Sequence, residues 1–211
     1  MTLADVPVDL KFPVGESRPV GSVPAVWYSA GTNGMVYQQL VAQLPEFDSE
    51  LVGVLPYYSM MLAEVGSAGR DYMQTQAEQA SVLGGLGARV TTRSVLGNTD
   101  KVHAAMILSA KGLNRNTGHI SRWISDTMES PDFSDTARIA DLISQARTRV
   151  ENSITGRGHA LASSAASSRM SASAALSHQW SGLQAIVDLK AMDDRIKSCL
   201  LYTSPSPRDR G

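Results

Sequence analysis

The chain has 211 residues, 43% of them hydrophobic, and its 19 Lys and Arg against 20 Asp and Glu leave a formal charge of −1. This is enough apolar material for a real core in one large or two small domains. The near-neutral charge gives no electrostatic reason to expect nucleic acid or a membrane as partner. Met1 to Pro7 lack the charged region and apolar run of a secretory signal, no stretch approaches the roughly 18 apolar residues of a membrane span, and no visible segment declares a compartment. The single Cys199 excludes an internal disulfide.

Residues 1–23 contain Pro7, Pro13 and Pro19 with Gly15 and Gly21, and proline cannot donate to a strand ladder, so an extended lead-in is expected. Pro24 to Tyr28 reads as a strand paired, across the Ser29 to Gly34 turn, with a second strand at Met35 to Leu44, where apolar and polar residues alternate. After Pro45 the spacing becomes helical: Leu51, Val54, Leu55, Tyr58, Met61, Leu62 and Val65 recur at three and four residues. Asp48 or Ser49 caps this helix, Pro56 is expected to break or kink it, and Gly66-Ser67 ends it. Asp71 to Leu83 forms the next helix, stopped by Gly84 to Gly87.

Ala88 to Leu96 and Val102 to Leu113 then read as a hairpin across Gly97 to Asp100, with Ala104, Met106, Leu108 and Ala110 on the covered face. The rest is helical. Trp123, Ile124 and Met128 mark one helix, ended by Pro131. Another opens near Asp132 and Asp135 and carries Ile139, Leu142, Ile143, Ala146, Val150 and Ile154 on one stripe. Ala160 to Ser173 reads as a helix whose small residues let another backbone approach, and Leu176 to Leu189 forms a last apolar face. The expected architecture is α+β: an antiparallel-rich sheet of about four strands with helices packed on one face, followed by a helical C-terminal half. The domain is expected to span 24–198. Cys199 to Asp209 resembles a translated sequencing adapter, so 199–211 is read as a disordered scar that the fold does not use.

No catalytic constellation stands out. None of His103, His119, His159 and His178 lies within five residues of another, so there is no H-x-x-x-H or H-x-x-E-H pair for zinc. There is no G-x-S-x-G elbow, Gly84 to Gly87 lacks the spacing of a phosphate loop, and Asp132, Asp135, Asp193 and Asp194 fall at helix ends where capping explains them.

Blocks of residues, however, stand in a familiar order: Thr32 to Tyr37, Leu55-Pro56, Leu62 to Ser67, Gly84-Gly85, Pro131 to Phe133, Arg149 to Ile154, Gly158 to Ala160, Ala165 to Ser167 and Trp180 to Leu183. From about residue 3 to residue 194 this order resembles the third domain of presequence-protease-like members of the insulinase/pitrilysin zinc metallopeptidase family. The resemblance implies two homologous halves closing around a peptide chamber, with a zinc ion on a His-x-x-Glu-His helix of the first domain and that glutamate as general base. The third domain would be a degenerate copy of the first. With Gly66-Ser67 as anchor, the motif falls on Tyr57, Met60 and Met61, which supply neither hard ligands nor a base.

The resemblance therefore implies no catalytic or metal residue in this chain, zinc only in the parent enzyme, and the catalytic half and a peptide substrate as partners. On this reading the chain is a fragment of the noncatalytic half of a zinc metalloendopeptidase, inactive alone and forming part of the chamber wall. The Ala and Ser faces around Ala160 to Ser168 are the expected surface for close inter-domain packing. Two alternatives stay open: a natural noncatalytic subunit beside a separate zinc-bearing chain, and a binding module that kept the fold.

Overall fold

The computed structural model describes residues 12–46 and 49–203. They fall into two compact units that divide between Met35 and Val36.

The first unit is a small hairpin. Strand β1 (Gly15–Ser17) pairs antiparallel with β2 (Val26–Tyr28), Gly15 opposite Tyr28. Arg18 stacks over the Trp27 ring at 4.8 Å while the indole N–H donates to the Arg18 carbonyl at 2.8 Å. This corrects the expected partner of Pro24–Tyr28, which pairs backward with the lead-in instead of forward with Met35–Leu44. The proline-rich lead-in keeps a proline-free triplet, Gly15 to Ser17, whose N–H groups remain available for a ladder. At Asn33-Gly34 both residues have positive φ (55° and 79°) and Met35 N donates to the Thr32 carbonyl at 3.1 Å, a tight turn of the mirror-image type that an Asn-Gly pair favours.

The second unit is built on a three-stranded sheet in the order β3 (Met35–Gln43), β6 (Asn98–Leu113), β5 (Gly85–Val95). The main sheet thus has three strands where about four were expected, because the Val26–Tyr28 strand belongs to the hairpin. β5 and β6 run antiparallel with Gly85 opposite Lys111 and Val90 opposite Met106, the register slipping only at Ser94/Val95. Gly85 to Gly87, read as a helix stop, begins β5; the preceding helix ends with Leu83 as its C-cap.

Met106, Leu108 and Ala110 of β6 enter a core with Leu62, Leu83 and the buried side of α3 (Thr117–Glu129), namely Ile120, Trp123 and Ile124. A second core joins Met61 and Val65 to Leu142, Ile143 and Ala146 of α4 (Thr136–Ser153) and to Leu189 of α7 (Leu183–Thr203). Helix α1 (Ser49–Met61) and the turn after it feed both cores, and Phe133, stacked on Tyr58 with ring centroids 5.3 Å apart, touches both.

Pro56 does not break α1. It has no N–H to offer the Val52 carbonyl four residues back, and Trp180 Nε1 of helix α6 (Ala172–Ser181) donates to that carbonyl at 2.9 Å instead. The long-range bond replaces the missing local one and fixes α6 against α1.

The turn after α1 forms a two-residue strand β4 (Gly66–Ser67) that pairs with β7 (Pro131–Asp132), a ladder that the residue pattern does not announce. Two arginines clamp it. Arg70 stacks over Trp123 at 4.4 Å and reaches Asp126 at 2.7 Å. Arg138 stacks over Tyr72 at 4.5 Å and reaches Glu64 at 3.1 Å. A Cβ on Gly66 would stand 2.5 Å from the Arg70 carbonyl, so the close approach at that corner requires glycine. Asp71 then caps α2 (Tyr72–Val82) in a reciprocal capping box with Gln74.

Three further boundaries differ from expectation. The cap of α4 is Asp135, which accepts from Arg138 N at 2.9 Å, while Asp132 accepts from Ser134 N, which holds its carboxyl below the usual range. The Ala/Ser segment is not continuous: α5 (Gly158–Ser167) ends before Ser171 caps α6 through Ala174 N at 3.1 Å, and Gly182 separates α6 from α7. Ala162 and Ala166 are exposed. Helix α7 continues to Thr203, past the Ser198 boundary, because residues 199–203 contain no breaker before Ser204-Pro205; residues 204–211 lie outside the described ones.

α7 is also tied to α4 by charge. The buried Asp193 carboxylate, 1% exposed, meets Arg147 at 2.8 Å and Lys197 at 2.7 Å. Burial pushes its pKa up, and the hydrogen bonds from Lys197 and Arg147 outweigh that and hold it below the ordinary carboxylate value.

Replacing Trp180 with Phe should cost about 1 kcal/mol in denaturant unfolding by orphaning the Val52 carbonyl. In a Pro56→Ala background the alanine restores an N–H, so the cost of Trp180→Phe should shrink; equal costs in both backgrounds would contradict the compensation.

Candidate functional site

Helix α1 has three sides. Tyr58 and, in the turn beyond it, Leu62 face the sheet core, whereas Tyr57 and Met61 face the helical core. The remaining positions, Pro56, Ser59, Met60 and Ala63, recur at three and four residues and line a groove of about 600 Å³. Its opposite wall is the run Leu86 to Thr92 of β5, and Trp180 with the last turn of α6 closes one side. Consecutive residues of a strand line a space only when its edge faces that space, because a strand face presents alternate residues. The groove is therefore bounded by a helix and by the free edge of the sheet.

The spacing that faces the groove bears on the degenerate motif. Of Tyr57, Met60 and Met61, the structure brings only Met60 to the groove. Met61 is buried, and the Tyr57 hydroxyl donates to the Ala185 carbonyl of α7 at 3.2 Å. Burial, and secondarily the negative charge of Asp188, push the Tyr57 pKa above its ordinary value of 10.0 and keep it a neutral donor. The positions one, four and five along the groove face are Pro56, Ser59 and Met60. A proline ring, a hydroxyl already donated to the Pro56 carbonyl at 2.9 Å and a thioether do not fit a zinc ion, which takes imidazole, carboxylate or thiolate.

The histidines lie elsewhere. His103, His119 and His159 are exposed on β6, α3 and α5, and His178 is half-buried on α6. Among the described residues no three His, Cys, Asp or Glu side chains gather into a set able to hold a metal ion. Within the groove wall the Glu64 carboxylate is occupied by Arg138 at 3.1 Å and Gln76 at 2.8 Å. The arrangement supplies hydrogen-bonding backbone and apolar contact, and no paired acid and base.

Sequence reasoning picked out Met60 but not Pro56, Ser59, Ala63 or the Leu86–Thr92 edge. The signal for the helix positions was their own three-and-four spacing between two core stripes. The strand side becomes visible only once the order β3-β6-β5 leaves β5 at the edge.

An α+β unit with a helix-walled groove and no metal constellation among its described residues has the form of a peptidase-associated domain, not of a catalytic one. Residues 1–192 match the family described as Peptidase M-16C associated, and the chain belongs to that family. It is 22% identical over 196 residues to presequence protease 1, chloroplastic/mitochondrial, of Arabidopsis thaliana, covering 93% of this chain and 18% of the relative. It is 24% identical over 190 residues to the mitochondrial presequence protease of Danio rerio, covering 90% and 19%. The same protein of Xenopus laevis gives 25% over 170 residues, covering 81% and 17%. The chain thus spans less than a fifth of the length of these curated relatives. No helix among the described residues is long and apolar enough to cross a membrane.

Tyr57→Phe should lower stability by about 1 kcal/mol near neutrality through loss of the hydroxyl's bond to Ala185. A raised folded pKa gives stability that is present below pH 10.0 and lost as pH rises through the folded value. Unfolding followed by circular dichroism from pH 7 to 12 should therefore show the variant and the parent converging in alkali; a constant gap would contradict the neutral-donor assignment.

Proposed function

We propose that this chain is part of the noncatalytic half of a zinc metalloendopeptidase that degrades short or unfolded peptides, and that it contributes a wall of the peptide chamber. The observation that carries the reading is the groove face of α1: Pro56, Ser59 and Met60 stand at a His-x-x-Glu-His spacing, beside a sheet edge, with no zinc ligand and no base among them. Membership of a peptidase-associated family and relatives named as presequence proteases support it. The zinc, its activated water and the general base would belong to a catalytic half elsewhere in the parent molecule. That half and the peptide are the partners. Cleaved targeting peptides, the substrate class in the relatives' names, are the first candidates for substrate.

The 211-residue chain, dialysed against zinc and then against metal-free buffer, should retain no stoichiometric zinc by mass spectrometry of the metal and cleave no unstructured peptide. Joined in frame to a zinc-bearing half, it should be required for peptide turnover. Stoichiometric zinc with chelator-sensitive cleavage by the chain alone would contradict the reading.

A further inference from the structure

We infer that the free edge of β5, Leu86 to Thr92, is a strand-addition site that takes an extended peptide into the groove beside α1. This rests on the reading above that peptide is what the domain meets, and it names where on the domain the peptide would sit.

The edge has β6 on one side and, among the described residues, no strand on the other. Exposed edges are normally blunted by proline, bulges, charge or a covering element. Here Leu86 to Thr92 contains no proline, and the only register slip lies beyond it at Ser94/Val95. The single charged side chain in the run, Arg89, reaches Ser109 of the paired strand at 3.4 Å. At Gly87 a Cβ would meet nothing within 4 Å, so the backbone is open to close approach. At ~3.3 Å per residue the run is about 20 Å long, the length of about five to seven residues of added strand.

The groove selects the occupant. Unpaired N–H and C=O groups recurring every second residue call for another extended backbone. A second copy of the chain would bring its own α1 alongside its own β5 edge into the space that α1 and α6 already wall, so a lone strand fits and an edge-to-edge dimer does not. On the helix side Pro56, Met60, Ala63 and Trp180 offer apolar contact. The one carboxylate in the wall, Glu64, is already paired. Small apolar side chains on alternate residues of the incoming peptide match that surface.

The test is amide hydrogen exchange of the 211-residue chain with an end-capped octapeptide of alternating valine and serine, and with the same peptide N-methylated at alternate residues. The plain peptide should slow exchange at Leu86–Thr92 by about tenfold or more at saturation, and the methylated peptide, which cannot complete the ladder, should not. Ala63→Arg, which fills the groove from the helix without touching the strand, should weaken binding about tenfold. Should that variant fail to fold, the two-peptide comparison on the unaltered chain decides alone. No protection at millimolar peptide, equal binding of the methylated peptide, or a dimer that protects the same amides without peptide would overturn the inference. A parent enzyme that hydrolyses peptide while these amides stay unprotected defeats this inference only. Protection without any parental hydrolysis defeats the functional reading and upholds the site.

Discussion

Helix α1 is apolar all the way round, and that constraint organises the second unit. A helix with one apolar stripe can lie on a surface, whereas one with apolar residues on every side must be covered on every side. Tyr58 and the Leu62 that follows it demand the sheet, Tyr57 and Met61 demand α4 and α7, and Phe133 closes the gap between the two cores. Burying one leucine or methionine side chain contributes about 1.5–3 kcal/mol, so neither core can be given up without exposing several such groups at once. The side of α1 left uncovered is the one that becomes the groove.

The interactions around α1 keep that sandwich in register. Pro56 removes a local hydrogen bond and thereby creates an acceptor that only a distant donor can fill, so α6 is placed by a defect in α1. Arg70 and Arg138 use their planar heads in two ways, stacking on an aromatic ring and reaching a carboxylate, which a lysine could not do equally well. Together they hold the Glu64 to Arg70 turn, whose small ladder with β7 joins the sheet half to the helical half.

The elements with strong periodicity were legible in the sequence. The alternation of Met106, Leu108 and Ala110 and the stripe of Leu142, Ile143 and Ala146 each state their buried face directly, and both faces are buried in the structure. What was not legible depended on long-range partners. Val26–Tyr28 carries no local sign that it pairs backward to Gly15–Ser17, and two-residue strands such as Gly66–Ser67 are too short to have a period. The continuous helix through Pro56 needed Trp180, 124 residues later in the chain, to be tolerable. The site divides in the same way: Met60 and the absence of ligands followed from the residues, while the assignment of Tyr57 and Met61 to the core and of Pro56, Ser59 and Ala63 to the groove required knowing what α1 packs against.

The functional consequence follows from the same helix. In a zinc-bearing counterpart the groove face of such a helix would have to carry charged and basic ligands, held rigid by second contacts and costly to bury. Here that face is small and apolar, leaving beside it a sheet edge with unmet hydrogen bonds. The central claim is that α1 belongs to both cores at once, and amide hydrogen exchange along Val54 to Leu62 tests it most directly. If the claim holds, these amides exchange only through global unfolding, with an opening free energy equal to the stability measured in denaturant. Exchange at a distinctly lower free energy, or a separate opening that frees one core while the other stays closed, would contradict it.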